Sequence, residues 1–269
     1  MSFTISDIYK PLTSAPFRNS DNYREYQPCR ELMPYIRCFW SADVKCGTAG
    51  PTLVIPDTCT DIIIDVNNEN NSTYCGINDI PLVSSYDPER DISTFAIRFY
   101  CHSAVLFCEG NMDNSLNRYI PAEELFGDSS RELTRQIMQA KTTAERIKIS
   151  ERFLLQKLDK SRENPAFLNG LYYIIKNSGN VNVEDISSYT VYSKRQLERI
   201  FKAVSGVPPK TLAGLIRYQL LWQDVLSGKY NPLDAVEKFG YCDQSHLLND
   251  FRKFHGATPE KARQYAIRG

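Results

Sequence analysis

The carboxyl-terminal part of the sequence contains the same plan twice, and this repeat restricts the fold more than any other feature. Residues 181–206 read VNVEDISSYTVYSKRQLERIFKAVSG, and residues 231–256 read NPLDAVEKFGYCDQSHLLNDFRKFHG. Each stretch predicts a short helix, a turn, and a second helix that ends in an aromatic-basic pattern and a glycine. The sequence therefore predicts two helix-turn-helix units.

Helix start signals surround both units. The residues whose side-chain oxygen can cap a helix that follows are Asn182, Ser193, Asn231 and Thr258. Proline follows two of these caps, at the first helical position, where its missing N–H costs little. These signals predict an all-helical carboxyl-terminal domain.

The distance between the two units suits one turn of duplex DNA. Their second helices begin near Ser193 and Gln244, which are 51 residues apart. The segment PKTLAGLIRYQLLWQDVLSG between them predicts a spacer helix of about 16–18 residues, or roughly 24–27 Å. Successive major grooves on one face lie about 34 Å apart, so the helix with its flanking turns is long enough.

The amino-terminal part has a different character. Between about Tyr35 and Phe107, short β-branched and aromatic runs alternate with turn residues, in YIRCFWSADV, TLVI, TDIIIDV, YCGI, LVSSY and ISTFAIRFY. This pattern predicts an antiparallel barrel or sandwich. The tract NNENNS after the third run predicts a hairpin tip.

Two helical segments follow Gly110, SSRELTRQIMQA and TTAERIKISERFLLQKLDK. Thr142 and Glu145 form a capping-box pattern at the start of the second segment. Its apolar stripe, which fits either packing on the barrel or a dimer contact, consists of Ile147, Leu154, Leu155 and Leu158. SRENPAF, with Pro165 interrupting the helical pattern, predicts a linker at residues 161–167.

These patterns predict an α+β protein of two domains, an antiparallel β barrel or sandwich with trailing helices and an all-α carboxyl-terminal domain. We expect a β-rich domain at residues 1–110, a helical connector or dimerisation region at 111–164 and the helix-turn-helix domain at 165–269. Residues 1–164 carry 18 Lys and Arg against 23 Asp and Glu, and residues 165–269 carry 14 against 9. This asymmetry fits an acidic sensor and a basic DNA-binding part.

The start of the chain has no signal-peptide pattern, and no run approaches the about 18 apolar residues of a membrane span. We therefore expect a cytoplasmic protein without membrane contact. The eight cysteines have no C-x2-C spacing, which favours buried thiols over a zinc site. No metal or cofactor is predicted, and His246 and His255 have no Cys or carboxylate at ligand spacing.

Several motifs occur together in one order: S-K-R-Q-L-E-R-I-F-K, G-V-P-P-K, G-Y-x-D-Q-S-H-L and F-R-K-F-H-G-A-T-P. Over about residues 167–268 the chain resembles the DNA-binding domain of AraC/XylS transcription regulators. The resemblance implies a sequence-specific regulator and not an enzyme. The partners predicted on this basis are double-stranded promoter DNA, a small-molecule effector, RNA polymerase and a second copy of the chain.

The resemblance implies that the second helix of the first unit presents Arg195, Gln196 and Arg199 to base edges. Arginine reads guanine through a bidentate contact worth about 1–3 kcal/mol of discrimination. Glu198 between them could accept from cytosine or orient an arginine, and both roles stay open. The matching face of the second unit carries Gln244, Ser245, His246 and Asn249. Asn249 stands where the family commonly has arginine. Phosphate contacts are predicted for Lys194, Lys202, Lys210, Arg252 and Lys253.

The amino-terminal part resembles, less closely, a β-rich sensor module attached to some regulators of this type. The similar residues are Pro28, Tyr35, Phe39, Trp40, residues 55–57, residues 61–63, Gly76 and residues 95–99. Because barrel mouths are favoured pocket sites, a small molecule is expected to bind there. The candidates to line this pocket are Trp40, Asp57, Asp61, Tyr74 and Arg98, although for any single one a place in an aromatic core or as a structural cap or turn is the favoured interpretation.

Two alternatives remain open at this stage. The cysteine-rich amino-terminal half could sense oxidants, which requires a thiol with a depressed pKa, and Cys29, Cys59 and Cys101 have polar or basic neighbours. A DNA-repair methyltransferase with an AraC-type domain would need a zinc-bound cysteine cluster or a P-C-H-R motif. The sequence contains neither.

Overall fold

A computed structural model describes residues 4–12, 23–47, 52–68, 72–84 and 89–268. The amino-terminal part is an antiparallel β-sheet domain with helices after it, and the carboxyl-terminal part is helical. The predicted α+β class with two domains is therefore confirmed.

Eight strands form two sheets in the described residues. They are β1 (Tyr23–Tyr26), β2 (Ile36–Val44), β3 (Thr52–Val54), β4 (Cys59–Asp65), β5 (Ser72–Cys75), β6 (Leu82–Ser84), β7 (Ile92–Tyr100) and β8 (Tyr119–Pro121). The larger sheet has the order β1-β2-β7-β4-β5-β8, and β3 pairs with β6 in a second sheet. All these pairings are antiparallel.

The larger sheet is open, because its two edge strands do not pair with one another within the described part of the chain. A closed barrel is therefore the wrong form of the predicted β domain. Six of the eight strands correspond to the apolar runs in the sequence, whereas β1 and β8 were not predicted. β4 and β5 pair as a hairpin around NNENNS, although residues 69–71 of that tract lie outside the described residues.

The helices of the amino-terminal part are α1 (Ile5–Ile8), α2 (Ala122–Phe126), α3 (Asp128–Gln139) and α4 (Thr143–Lys157). Thr142 and Glu145 form the predicted capping box at α4. In the apolar stripe of α4, Leu154 is fully buried, Ile147 and Leu158 pack against the core, and Leu155 is exposed. Most of this stripe is therefore used for packing within the chain.

The helices of the carboxyl-terminal part are α5 (Pro165–Lys176), α6 (Val183–Thr190), α7 (Lys194–Ser205), α8 (Pro209–Leu226), α9 (Pro232–Phe239), α10 (Gln244–His255) and α11 (Pro259–Arg268). α5 begins at Pro165, capped by Asn164, so the last three residues of the predicted linker, 165–167, belong to α5. None of the described helices combines the length and the apolar character needed to cross a bilayer.

The two parts share one buried apolar core. It runs from Phe39 and Phe99 in the sheet, through Phe107 after β7, to Phe201 in α7 and Trp222 in α8. Backbone contacts join the parts as well, since the Met112 N–H donates to the carbonyl oxygen of Ala203 at 3.0 Å. Arg162, before α5, donates to the carbonyl oxygens of Cys108 and Gly110.

Candidate functional site

The first helix-turn-helix unit consists of α6 and α7. The side chain of Ser193 accepts from the Gln196 N–H at 3.3 Å, and Gln196 Oε1 accepts from the Ser193 N–H at 3.0 Å. This capping box fixes the start of α7. Gln196, a predicted base contact, therefore has its amide oxygen engaged by its own helix.

α7 has a buried and an exposed face. Leu197 and Phe201 are fully buried, and Phe201 packs on Phe167 of α5 with 4.7 Å between ring centroids. The charged and polar residues point the other way, and the exposed ones are Lys194, Arg195, Gln196, Glu198, Arg199 and Lys202. Since α7 is anchored by its apolar side, these side chains project from a fixed frame.

Arg195 and Arg199 lie one turn apart on the exposed face of α7. In the part of the chain that the structure describes, no carboxylate lies within ion-pair distance of the guanidinium group of Arg195 or Arg199. The same holds for the ammonium group of Lys202. Lys194 instead forms an ion pair with Glu184 of α6. The two arginines are therefore available to an external acceptor, whereas Lys194 would first have to leave its partner.

The second unit, α9 and α10, repeats this construction. Asn231 Oδ1 accepts from the N–H groups of Leu233 and Asp234, and Pro232 begins α9 as predicted. Asp243 caps α10 by accepting from the His246 N–H at 2.7 Å. Asp243 was not predicted as a cap from the sequence, although an Asp directly before a helix is a common N-cap residue.

The exposed face of α10 carries all the predicted contacts of this unit, namely Gln244, Ser245, His246, Asn249, Arg252 and Lys253. The opposite face is formed by Leu247 and Phe251, which are buried. His246 Nδ1 accepts from the Cys242 N–H at 3.4 Å, and the ring meets Tyr241 edge to face. Lys210, the remaining predicted phosphate contact, is exposed at the start of α8.

α8 is the predicted spacer helix and has 18 residues, which corresponds to about 27 Å of axial rise. Arg217 of α8 forms a 2.8 Å ion pair with Asp250 of α10 and lies 4.3 Å above the ring of Tyr241. The Tyr241 hydroxyl also donates to Asp250 at 3.0 Å. These partly buried contacts fix α10 against the spacer.

His255 closes α10 inside an aromatic cluster. Its Nδ1 lies 2.8 Å from the Tyr218 hydroxyl, and its ring packs on Phe251 and Trp222 at centroid distances of 5.1 and 4.5 Å. Burial lowers the pKa of His255 to about 4. A neutral imidazole with a hydroxyl partner suits a structural role in this cluster.

A glycine in left-handed conformation ends each of α7 and α10, and each faces the amino-terminal part. A Cβ on Gly206, at φ 80°, would lie 2.2 Å from Ser115 Oγ. A Cβ on Gly256 would lie 3.9 Å from Pro81 Cγ. Because Ser115 and Pro81 both belong to the amino-terminal part, this part packs closely against the carboxyl end of α7 and lies near that of α10.

Four of the five predicted pocket residues meet on one face of the larger sheet. Arg98 of β7 donates to Asp61 of β4 through Nε at 2.9 Å and through Nη2 at 3.1 Å. Trp40 of β2 donates from Nε1 to the same carboxylate at 3.0 Å. Asp57 lies 3.9 Å from Arg98 Nη1. We call these four residues the sensor cluster.

The surroundings of Asp57 in the sensor cluster favour the neutral form of its carboxyl group more than water does. Burial raises the pKa of Asp57 to about 6, although Arg98 acts in the opposite direction. Burial also disfavours the charge on Arg98, but Asp61 and Asp57 outweigh it and raise the pKa of the guanidinium. Asp57 is 19% exposed along its side chain, so an external group can reach it.

Tyr74 does not join the sensor cluster. It pairs with Ile62 across β4 and β5, on the opposite face from Asp61, and it is fully buried against Phe126. The sequence missed Arg37, the extra residue of a β-bulge in β2, whose charge lowers the pKa of Asp57 slightly. A bulge has no signal in a single sequence, because it is defined by pairing with another strand.

The cysteines have properties opposite to those that oxidant sensing requires. Burial raises the pKa of the thiols of Cys29, Cys38, Cys59, Cys75, Cys101 and Cys108. Only the thiolate reacts readily, so these groups are poorly suited to the task. Cys46 and Cys242 are exposed.

Comparison with known proteins identifies two regions. Residues 186–265 match the family model of a helix-turn-helix domain, and residues 24–121 match that of a domain of unknown function, DUF6597. No curated protein matches the chain.

Solved structures give weaker likenesses. The carboxyl-terminal domain of AraT, a response regulator from Geobacillus stearothermophilus, is 24% identical over 38% of this chain and 87% of that one, with a TM-score of 0.36. An apo ToxT variant from Vibrio cholerae is 12% identical over 90% of this chain and 100% of that one, with a TM-score of 0.44. ToxT bound to (E)-4-(8-methylnaphthalen-1-yl)but-3-enoic acid is also 12% identical, over 91% and 100%, at 0.42. TM-scores below 0.5 support no functional conclusion.

Proposed function

We propose that this chain, whose carboxyl-terminal part is a helix-turn-helix domain of the AraC type, is a transcription regulator that binds promoter DNA sequence-specifically under the control of a small effector. The observation that carries the proposal is the pair of capped helices, α7 and α10, whose cationic or polar faces are exposed while their apolar faces pack around one spacer. A duplex presents two successive major grooves to such a pair.

Base selection is assigned mainly to Arg195 and Arg199. Both are exposed, one turn apart, and without an ion-pair partner among the described residues. Arginine forms a bidentate contact with the O6 and N7 atoms of guanine. Gln244, Ser245, His246 and Asn249 occupy the corresponding face of α10, and because none of them is arginine, these four positions lack the bidentate reader of guanine.

Affinity and register are assigned to the lysines and to Arg252. Lys202, Lys210 and Lys253 are exposed near the ends of α7, α8 and α10. A contact between lysine and phosphate does not depend on the base, and each phosphate neutralised releases condensed counterions. These residues should therefore contribute equally to binding of every sequence.

The test is selection of bound duplexes from a random pool by the full chain, followed by binding measurements on Arg195→Ala, Arg199→Ala and Lys202→Ala. Each arginine change should relax the preference at base pairs within one half-site, at a cost of about 1–3 kcal/mol for the preferred base. Lys202→Ala should weaken all sequences alike and reduce the salt slope by about one.

Lys148→Ala is the matched control, since Lys148 is an exposed lysine on α4, in the amino-terminal part. It should bind like the wild type. A wild-type chain that selects no sequence would refute the proposal, and unchanged base preference in both arginine variants would refute the contact assignment.

The effector is assigned to the sensor cluster. Trp40 offers an aromatic face, Asp57 offers a partly exposed acceptor, and Arg98 offers a buried cation beside both. Convergent polar groups beside an aromatic ring are typical of small-molecule sites. An effector regulates only if it binds two conformations of the chain with different affinity. RNA polymerase and a second copy of the chain remain predicted partners.

A further inference from the structure

One buried amide joins the spacer helix to the amino-terminal part. Gln219, in the middle of α8, is fully buried. Its Oε1 accepts from the Leu12 N–H at 2.8 Å, and its Nε2 donates to the Pro56 carbonyl oxygen at 2.8 Å. Two bonds from one side chain to two backbone segments remote in sequence define the position of all three.

The residue that follows Pro56 is Asp57, the partly exposed member of the sensor cluster. Asp57 Oδ1 accepts from the Cys59 N–H at 2.7 Å, which fixes the turn into β4. Thr58, between them, donates to the buried Tyr9 hydroxyl at 3.1 Å. Residues 56–59 therefore touch the sensor cluster through Asp57 and the spacer helix through the Pro56 carbonyl.

Within α8, Gln219 lies between two contacts that hold α10 of the second unit against the spacer helix. Arg217 is two residues earlier and pairs with Asp250 of α10, and Trp222 is three residues later in the aromatic cluster around His255. A displacement of the Pro56 carbonyl must either break a buried hydrogen bond or move this part of α8. An unpaired buried polar group costs about 1–3 kcal/mol, so movement together is favoured over separation.

We propose that Gln219 is the positioning residue that couples the sensor cluster to the spacer helix and, through it, to the second DNA-binding unit, with a change at Asp57 reaching α8 through the Pro56 carbonyl. The inference rests on the proposed function and names its route of regulation. The amide acts by position alone and contacts neither DNA nor effector. A purely structural amide would stabilise the fold without carrying the state of Asp57 to the spacer.

The test uses the full chain in two measurements, with Gln219→Leu, Asp57→Asn and the double variant. Gln223→Leu is the matched control, because Gln223 lies one turn further along α8 and donates a single bond to the Lys10 carbonyl oxygen. The first measurement is hydrogen exchange of the free protein. Gln219→Leu should speed exchange of the Cys59 amide at least about threefold, whereas Gln223→Leu should leave it unchanged.

The second measurement is the dissociation constant for a duplex selected by the wild type. Asp57→Asn should change this dissociation constant at least about threefold in the wild-type background and by less than about twofold in the Gln219→Leu background. An equal effect of Asp57→Asn in both backgrounds, or no effect in either, would overturn the coupling. An unchanged Cys59 amide in Gln219→Leu would overturn it as well.

The outcomes separate this inference from the proposed function. A wild type that binds no duplex selectively refutes the function, and the exchange of the Cys59 amide still decides whether Gln219 positions residues 56–59. If Gln219→Leu does not fold, Asp57→Asn alone remains decisive, since it leaves Gln219 intact. Asp57→Asn should then speed hydrogen exchange of the Leu12 amide, which Gln219 links to the Pro56 carbonyl. An unchanged exchange rate of the Leu12 amide contradicts the proposal.

Discussion

Val191 has a backbone conformation that β-branched residues rarely adopt. It ends α6 at φ 61° in the left-handed region, and it is 89% exposed. The corresponding residue of the second unit, after α9, is Gly240 at φ 66°. A left-handed conformation costs a β-branched residue about 1–2 kcal/mol, because its Cβ crowds the backbone.

We predict that Val191→Asn stabilises the chain by about 1 kcal/mol, since asparagine tolerates this region and no buried surface is lost. The free energy of unfolding in urea measures the gain. Gly240→Ala in the second unit should cost more than about 1–2 kcal/mol, because its Cβ would meet the left-handed penalty and would also lie 1.9 Å from Asn180 Nδ2. Equal stability of Val191→Asn and the wild type would show that the turn relaxes around valine at no cost.

His255 makes stability depend on pH in a defined direction. Burial lowers its pKa to about 4, whereas an unfolded imidazole titrates near 6.5. The unfolded state therefore binds the proton first as pH falls, so this contribution is complete above about 6.5 and is lost towards 4. His102, whose pKa burial also lowers to about 4, acts in the same direction. Asp57, with a pKa raised to about 6, acts in the opposite direction between about 4 and 6.

We predict that His255→Gln, which keeps a hydrogen-bonding partner for Tyr218, reduces the stability lost between pH 6.5 and pH 4.5. The reduction should be about 2 kcal/mol, because the whole shift in pKa is worth about 3.4 kcal/mol and part of it falls outside this pH interval. Urea unfolding of both proteins at the two pH values measures it. Parallel losses in the two proteins would mean that folding does not lower the pKa of His255.

At the scale of elements, helix caps fix where α7 and α4 begin. Ser193 caps α7, and Thr142 caps α4 with the same reciprocal geometry. We predict that Ser193→Ala and Thr142→Ala each cost about 1 kcal/mol of stability. DNA affinity should fall only for Ser193→Ala, because α7 carries the proposed base contacts. A loss of affinity in Thr142→Ala would instead indicate a general effect of stability on binding.

The elements that the sequence predicts best are those with local signals. The caps at Asn182, Ser193 and Asn231 lie directly before α6, α7 and α9, and the apolar runs give six strands. β1 and β8 are short, and their signal lies in pairing with β2 and β5, which one chain segment does not contain. The open form of the sheet was not predicted for the same reason, because closure depends on pairing between edge strands that are far apart in the sequence.

The candidate sites follow the same division. The exposed residues of α7 and α10 follow from helical periodicity, whereas the sensor cluster needed the register of β2, β7 and β4 to separate Asp61 from Tyr74. Gln219 has only one local signal, a single amide in the apolar run LIRYQLLW. Its partners, Leu12 and Pro56, lie more than a hundred residues away, so no local pattern identifies them.

For the whole molecule, the continuous apolar core predicts cooperative unfolding. The chain has two tryptophans, Trp40 in the sheet and Trp222 in the spacer helix. We predict that in Trp40→Phe and in Trp222→Phe alike, the fluorescence of the remaining indole and the helical circular dichroism give coincident urea transitions, as expected for one cooperative unit. The sheet signal persisting at urea concentrations that have already abolished the helical signal would establish two independent domains.

The close packing of Gly206 on Ser115 ties the end of α7 to the amino-terminal part. Curved and straight duplexes require different angles between α7 and α10, so binding to them would load this contact to different extents. Under the proposed function, thermodynamic reciprocity requires a bound duplex to alter effector affinity by the same factor by which the effector alters duplex affinity. Promoters of unequal curvature would then set unequal effector thresholds.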